Sequence, residues 1–175
     1  MIISEADISR LPASFAMVDG CFDPLHRGHV EYFRFAATLG VPVLCNLAAD
    51  AYLLSHKGRP PFLGESDRAG VIDGMRSIDY VYISHSGTRS SLERLRPAYY
   101  VKGKDWVGRL PEDQIETCRK LGIKIVYADC QLGSSSEIID RFLRRLGLDA
   151  PVRLSSSPCA EEDASREAGR GCARA

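Results

Sequence analysis

The sequence has no surplus of charge of either sign. Lysine plus arginine and aspartate plus glutamate number 23 each, so no net basic field draws the chain onto nucleic acid or an anionic membrane. An anionic ligand must therefore be caught by a local arrangement of groups. Long apolar runs are also missing: the stretch Val41–Ala49 is broken by Pro42 and Asn46, far short of a bilayer span. The N-terminal MIISEADISR carries acids and has no signal-peptide core. The expectation is a cytoplasmic protein with neither membrane nor nucleic-acid partners. Cysteine pairing is absent too. The six cysteines (Cys21, Cys45, Cys118, Cys130, Cys159, Cys172) form no CxxC or CxxH spacing, and 175 residues need no disulfide staples, so reduced thiols without structural zinc are expected.

What is present suits one globular domain, with 45% apolar and 26% charged residues. From Phe15 to Leu146, short apolar bursts alternate with helix-period segments, the pattern of βαβ units. This predicts a single-domain α/β fold with a Rossmann-like, doubly wound, parallel five-stranded sheet. Strands are expected near Phe15–Val18, Val43–Leu47, Tyr80–Ile83, Tyr99–Val101 and Ile123–Tyr127. Helices are expected near Gly28–Leu39, Glu65–Met75, Ser90–Leu95, Glu112–Leu121 and Ser136–Leu146. The last helix gathers Ile138, Ile139, Phe142, Leu143 and Leu146 into one stripe, which should pack on the sheet. Residues 1–12 read as a lead-in and 13–148 as the domain. Residues 149–175, almost without large apolar side chains, read as a disordered tail. No internal repeat is present.

Histidine is scarce, at four, yet two lie three residues apart in Gly20-Cys21-Phe22-Asp23-Pro24-Leu25-His26-Arg27-Gly28-His29. A strand ending at Val18 and a helix beginning near Gly28 place this segment at the carboxyl edge of the sheet, where doubly wound folds bind ligands. On a first helical turn, His26 and His29 point the same way and can both donate to one phosphate. Gly28 lets a ligand approach the backbone, and the helix N-terminus favours an anion. The same residues also fit a capped helix with two half-buried histidines.

The stretch GCFDPLHRGHVEYF resembles the HxGH signature of the nucleotidyltransferase superfamily of cytidylyltransferases and small adenylyltransferases. LGSSSEIIDRFL resembles that family's second signature, a serine/threonine-rich turn holding the β- and γ-phosphates, although Ser134–Glu137 also reads as a capping box. The segment around HKGRPP resembles the one in which a lysine, here Lys57, reaches the phosphates from a mobile loop. LRPAYYVKGKDW resembles a stretch of heptose-phosphate nucleotidyltransferases, and DWVG resembles one of glycerol-3-phosphate cytidylyltransferase. Taken alone, Lys57 reads equally as a solvated loop charge, Trp106 as a core residue, and Asp50 and Asp73 as surface or capping residues.

The resemblance spans Phe15–Leu146. It implies transfer of a nucleotidyl group from ATP or CTP to a phosphorylated small molecule, with release of pyrophosphate. His26, His29 and Lys57 are the implied catalytic residues. Gly20, Cys21, Phe22, Asp23, Gly28, Lys102, Gly103, Asp105, Trp106, Ser134, Ser135 and Ser136 are the implied nucleotide-binding set. Mg²⁺ is expected on the triphosphate, with Asp23 a candidate for its shell or for orienting the site, though an Asp-Pro turn residue has its own structural explanation. A homodimer is implied as well.

ADCQLGSSS lacks the arginine that glycerol-3-phosphate cytidylyltransferases carry there. A sugar phosphate such as a heptose phosphate is therefore the preferred acceptor, with adenylyl ahead of cytidylyl transfer. The length leaves no room for a sugar-kinase part, so a standalone transferase is expected. The alternatives are a cytidylyltransferase for a polyol phosphate or phosphonate, an adenylyltransferase of the pantetheine-phosphate or nicotinamide-mononucleotide kind, and a non-catalytic nucleotide-binding module. A class I aminoacyl-tRNA synthetase is disfavoured by size and charge.

Overall fold

The computed structural model describes residues 1–129 and 135–148. Six strands, β1 (Ile2–Ile3), β2 (Ala16–Gly20), β3 (Val43–Ala48), β4 (Tyr80–Ser84), β5 (Tyr99–Gly103) and β6 (Lys124–Ala128), form one sheet. Their order is β1-β4-β3-β2-β5-β6, and every pairing is parallel. The expected α/β doubly wound sheet is observed, with a correction to the strand count. The sixth strand lies inside the expected lead-in, where Ile2 and Ile3 pair with Val81 and Tyr82 of β4. Two residues are too few to show a period.

Both faces of the sheet are covered, as a parallel sheet requires. Ala16 and Val18 of β2 enter one core with Tyr32, Phe33 and Ala36 of α1 (Arg27–Ala37) and Ala69 and Ile72 of α3 (Glu65–Asp73). Met17, between them, enters the opposite core with Leu92 and Leu95 of α4 (Thr88–Leu95) and Cys118 of α5 (Glu112–Leu121). The period-2 alternation of β2 thus assigns its residues to opposite layers. Cys21, Cys45 and Cys118 form no disulfide.

Two further expectations change. Asp50–Lys57, expected as loop, is helix α2, with Leu53 its one buried residue. Gly58, at φ 62°, ends it in the left-handed conformation that glycine adopts without a Cβ penalty. Helix α6 (Ser135–Arg145) forms as its stripe predicts, but the stripe is largely uncovered among the described residues. Ile139 is buried, whereas Ile138, Phe142 and Leu146 are 38%, 52% and 56% exposed. The expected disordered tail, residues 149–175, lies outside the described residues.

β2 sits at the switch point of the winding, with β3 on one side and β5 on the other. The crevice beyond its carboxyl end is the place where such sheets bind ligands.

Candidate active site

β2 leaves the sheet through Asp19 and Gly20 into a turn closed by the first residues of α1. Phe22 adopts φ 49°, a left-handed conformation costly for a side chain with a Cβ. Its buried ring meets His29 edge-on at 4.9 Å between centroids and Phe33 at 5.0 Å, contacts that offset the strain. The same ring crowds residue 20, because a Cβ there would lie 3.0 Å from Phe22 Cζ and the ring would have to shift.

The two histidines cap α1 reciprocally. His26 is the N-cap in extended conformation, and its Nδ1 accepts the backbone N–H of Gly28 at 3.1 Å. The Nδ1 of His29 accepts the backbone N–H of His26 at 3.3 Å, and the rings stack 3.8 Å apart. The capped-helix reading is therefore observed, and the cap occupies Nδ1 of each ring rather than Nε2. A neutral imidazole that accepts at Nδ1 carries its proton on Nε2, so each ring presents an Nε2–H donor. Burial lowers the pKa of His26. Burial, helped by the charges of His26 and Lys57, drops that of His29 to about 3. Both rings are thus neutral donors at ordinary pH. His26 Nε2 is itself buried and has no hydrogen-bond partner among the described residues.

The turn is held from behind. Asp23 is 1% exposed, and its carboxylate accepts from Arg59 at 2.7 Å and from the backbone N–H groups of Phe62 and Leu63 at 2.9 and 3.1 Å. Burial raises the Asp23 pKa, but these bonds outweigh it and the group lies below the usual carboxylate value. Its oxygens are engaged by the segment behind the turn, and it does not line the pocket. Arg68, 2% exposed, donates to the carbonyls of Cys21, Ala48 and Leu63 and pairs with Asp50. It pins the exits of β2 and β3 to one guanidinium. Asp50 also caps α3 at the Glu65 N–H, at 3.1 Å.

Around the switch point lies an open pocket of about 330 Å³, within the usual range for small-molecule sites. It brings together Gly20, Cys21, Phe22, His29, Lys57, Lys102, Gly103, Asp105, Trp106, Ser135 and Ser136 of the expected residues, whereas His26 is not among its lining residues. Lys57 reaches it from the last turn of α2 rather than from a loop, and the Arg59–Leu63 stretch after it is tethered to Asp23. Gly28 is buried within α1 as a backbone donor to His26. Ser135, at the start of α6, donates to the Pro24 carbonyl at 3.0 Å and so ties the second motif to the first. Ser134 lies outside the described residues.

Sequence reasoning missed a polar layer beside the pocket. Asp19 of β2 accepts from Lys102 Nζ at 2.9 Å, Thr88 Oγ1 at 2.9 Å and the Tyr100 hydroxyl at 3.1 Å. Lys102 Nζ also lies 4.0 Å over the Trp106 ring. Asn46, Tyr32, Tyr52, Ser84, Ser86, Thr88 and Gln114 line the pocket too. The one available signal was polar residues at the carboxyl ends of apolar strands, as in Val18-Asp19 and Cys45-Asn46. Among the described residues no three His, Cys, Asp or Glu groups converge as a metal site, and no helix is long and apolar enough to cross a membrane.

Comparison with known proteins gives the following likenesses. The cytidylyltransferase-like family model matches residues 17–141. The bifunctional protein HldE of Geobacter metallireducens is 34% identical over 149 residues, which is 83% of this chain and 30% of that protein. HldE of Campylobacter concisus is 39% identical over 93 residues, covering 52% and 20%. The chain thus spans less than a third of the length of these relatives. Among solved structures, the lipopolysaccharide core biosynthesis protein of Thermoplasma volcanium aligns with a TM-score of 0.59 at 26% identity, covering 67% of this chain and 98% of that one. A protein of unknown function from Archaeoglobus fulgidus aligns at 0.54 and 20% identity, covering 69% and 93%, a likeness of fold alone.

Proposed function

The chain belongs to the cytidylyltransferase-like family and is a nucleotidyltransferase, and from that premise we propose that it transfers the adenylyl group of ATP to a sugar phosphate of the heptose-phosphate kind. An oxygen of the acceptor phosphate attacks the α-phosphorus in line. The bond from that phosphorus to the bridging oxygen breaks, and pyrophosphate leaves with the electron pair. An ionised phosphate needs little base assistance, so the protein's task is to position the reactants and to stabilise developing charge.

The carrying observation is the pair of neutral Nε2–H donors, with His26 Nε2 buried and lacking a partner among the described residues. His29 lines the pocket and His26 lies behind it, so a phosphate oxygen completes the His26 donor only by entering the turn beyond the pocket wall. His26 and His29 then donate to the transferred phosphoryl group as negative charge grows on it. Lys57 supplies a positive charge to the same phosphates. Ser135, Ser136 and the first amides of α6 receive the leaving pyrophosphate, with α6 tied to the first motif by the Ser135–Pro24 hydrogen bond. Asp23, with its oxygens engaged by Arg59, Phe62 and Leu63, acts as an anchor. Mg²⁺ would enter with the triphosphate and supply neutralisation of phosphate charge, since Asp23 is already engaged and no other carboxylate cluster among the described residues would hold it.

Val101-Lys102-Gly103-Lys104-Asp105-Trp106 and the HldE relatives support a heptose-phosphate acceptor. The test is thermal unfolding with ATP, CTP, GTP or UTP plus Mg²⁺, followed by pyrophosphate release with sugar 1-phosphates. A ligand at 100 times its Kd adds about 2.7 kcal/mol. A shift with ATP and release with a heptose 1-phosphate are expected. A shift with CTP alone would replace adenylyl by cytidylyl transfer, and no shift with any nucleotide would overturn the reading.

A further inference from the structure

The register of the sheet lays three polar side chains in a row across the pocket floor. Asp19 of β2 stands beside Asn46 of β3. Val18 pairs with Val101 on the other side, which places Lys102 next to Asp19, and the two form a buried ion pair. Asp19 is satisfied by Lys102, Thr88 and Tyr100, and its charge is compensated by Lys102. Asn46 differs. It is 4% exposed and lines the pocket, and its Oδ1 has no hydrogen-bond partner among the described residues. A buried amide oxygen left unpaired costs free energy that a donor from a ligand recovers.

The position of Asn46 says which ligand supplies that donor. The phosphate-handling groups His29 and Lys57 gather at the end of β2, the strand that lies between β3 and β5. Two substrates joined at a phosphorus there extend to opposite sides. The β5 side offers the buried Gly103 and the pocket-lining surface of Trp106, whose ring face toward Lys102 is already taken, for a flat base. The β3–β4 side offers Asn46, Ser84, Ser86 and Thr88, an amide and three hydroxyls, which match a hydroxylated carbon chain. The Asp19–Lys102 pair is neutral overall, so this wall does not repel the phosphorylated acceptor.

We propose that Asn46 is a specificity-determining residue of the acceptor subsite, whose side-chain carbonyl accepts a hydrogen bond from a hydroxyl on the carbon skeleton of a sugar or polyol phosphate. This rests on the nucleotidyltransferase reading above. A site built to hydrogen-bond a hydroxyl discriminates against an analogue lacking it, because its own polar group is then left unpaired.

The test uses the full chain and calorimetric titration with four probes taken separately: ATP–Mg²⁺, CTP–Mg²⁺, a heptose 1-phosphate and glycerol 3-phosphate. Asn46→Leu removes the carbonyl at similar volume. Asn46→Ser, smaller and still polar, provides a second comparison should the leucine variant fail to fold, with circular dichroism and thermal unfolding as the check. The expected result is about tenfold weaker binding of the hydroxylated phosphate by Asn46→Leu, a smaller loss for Asn46→Ser, and nucleotide affinity within about twofold of wild type. Unchanged binding of the hydroxylated phosphates, or an equal loss of nucleotide, overturns the proposal. So does a wild-type chain that binds a nucleotide but neither hydroxylated phosphate, and that outcome leaves the transferase reading standing. Failure of wild type to bind either nucleotide removes the transferase reading itself, and this proposal with it.

Discussion

The Nδ1 of His29 accepts the backbone N–H of His26, and this one bond fixes both a helix end and the tautomer of the ring. With the ring oriented from the Nδ1 side, its proton sits on Nε2. The same logic holds for His26 through Gly28. The account predicts that ¹⁵N NMR of histidine-labelled protein shows both residues as Nε2–H tautomers from pH 7 to 8, with His29 unprotonated well below pH 6. Observation of a His29 imidazolium titrating near 6.5 would remove the neutral-donor argument.

Stability follows from the same pKa. His29 takes up a proton near 6.5 in the unfolded chain but only near 3 when folded. Across that window the unfolded state binds the extra proton, so stability falls as pH drops from about 6.5 towards 3. One such proton contributes a slope approaching about 1.4 kcal/mol per pH unit. Urea denaturation of wild type and His29→Gln at pH 7 and pH 5 should show a smaller loss for the variant. Identical losses would count against the depressed pKa.

Behind the turn, a clamp joins residues far apart in the chain. Asp23 and Arg59 are a nearly buried pair, with side chains 0% and 13% exposed. Removing one partner leaves a charge without its counterion, a change that costs about 3–5 kcal/mol in buried pairs. Asp23→Ala also strips the acceptor from the Phe62 and Leu63 N–H groups. Urea midpoints should place Asp23→Ala well below wild type, with Lys57-dependent turnover lost in parallel because the segment following α2 is released. A wild-type midpoint would mean that the clamp carries no weight.

Gly20 tests the packing under the histidines. Gly20→Ala pushes a methyl group against the Phe22 ring, which itself buttresses His29. Overpacking of this kind costs about 1–3 kcal/mol. Thermal unfolding should register that cost, and kcat should fall by more than KM rises, since the displaced ring moves a transition-state donor.

The legible parts of the fold were those whose residues vote together. Strands β2 to β6 announced themselves as apolar runs, and α1 and α5 as helical stripes. Helix α2 did not, because only Leu53 is buried and the Gly58-Arg59-Pro60-Pro61 run beside it reads as loop. The stripe of α6 predicted a helix correctly but not its cover, since periodicity reports a face and not what lies against it. At the site, the His26–His29 cap was readable because both residues lie in one contiguous turn. Asp19, Asn46 and Thr88 come from three elements and become neighbours only through strand register and helix placement. Asp23 looked like a ligand candidate from its place in the motif, whereas its partners Arg59, Phe62 and Leu63 lie 36 to 40 residues away.

The most direct measurement is pyrophosphate release by wild type and His29→Ala, with ATP–Mg²⁺ or CTP–Mg²⁺ and a heptose 1-phosphate, alongside circular dichroism of both proteins. Loss of a single preorganised transition-state donor costs about 10²–10³ in kcat. The account predicts a drop of that size in a variant that remains folded and binds nucleotide. A folded His29→Ala protein that releases pyrophosphate at nearly the wild-type rate would contradict it.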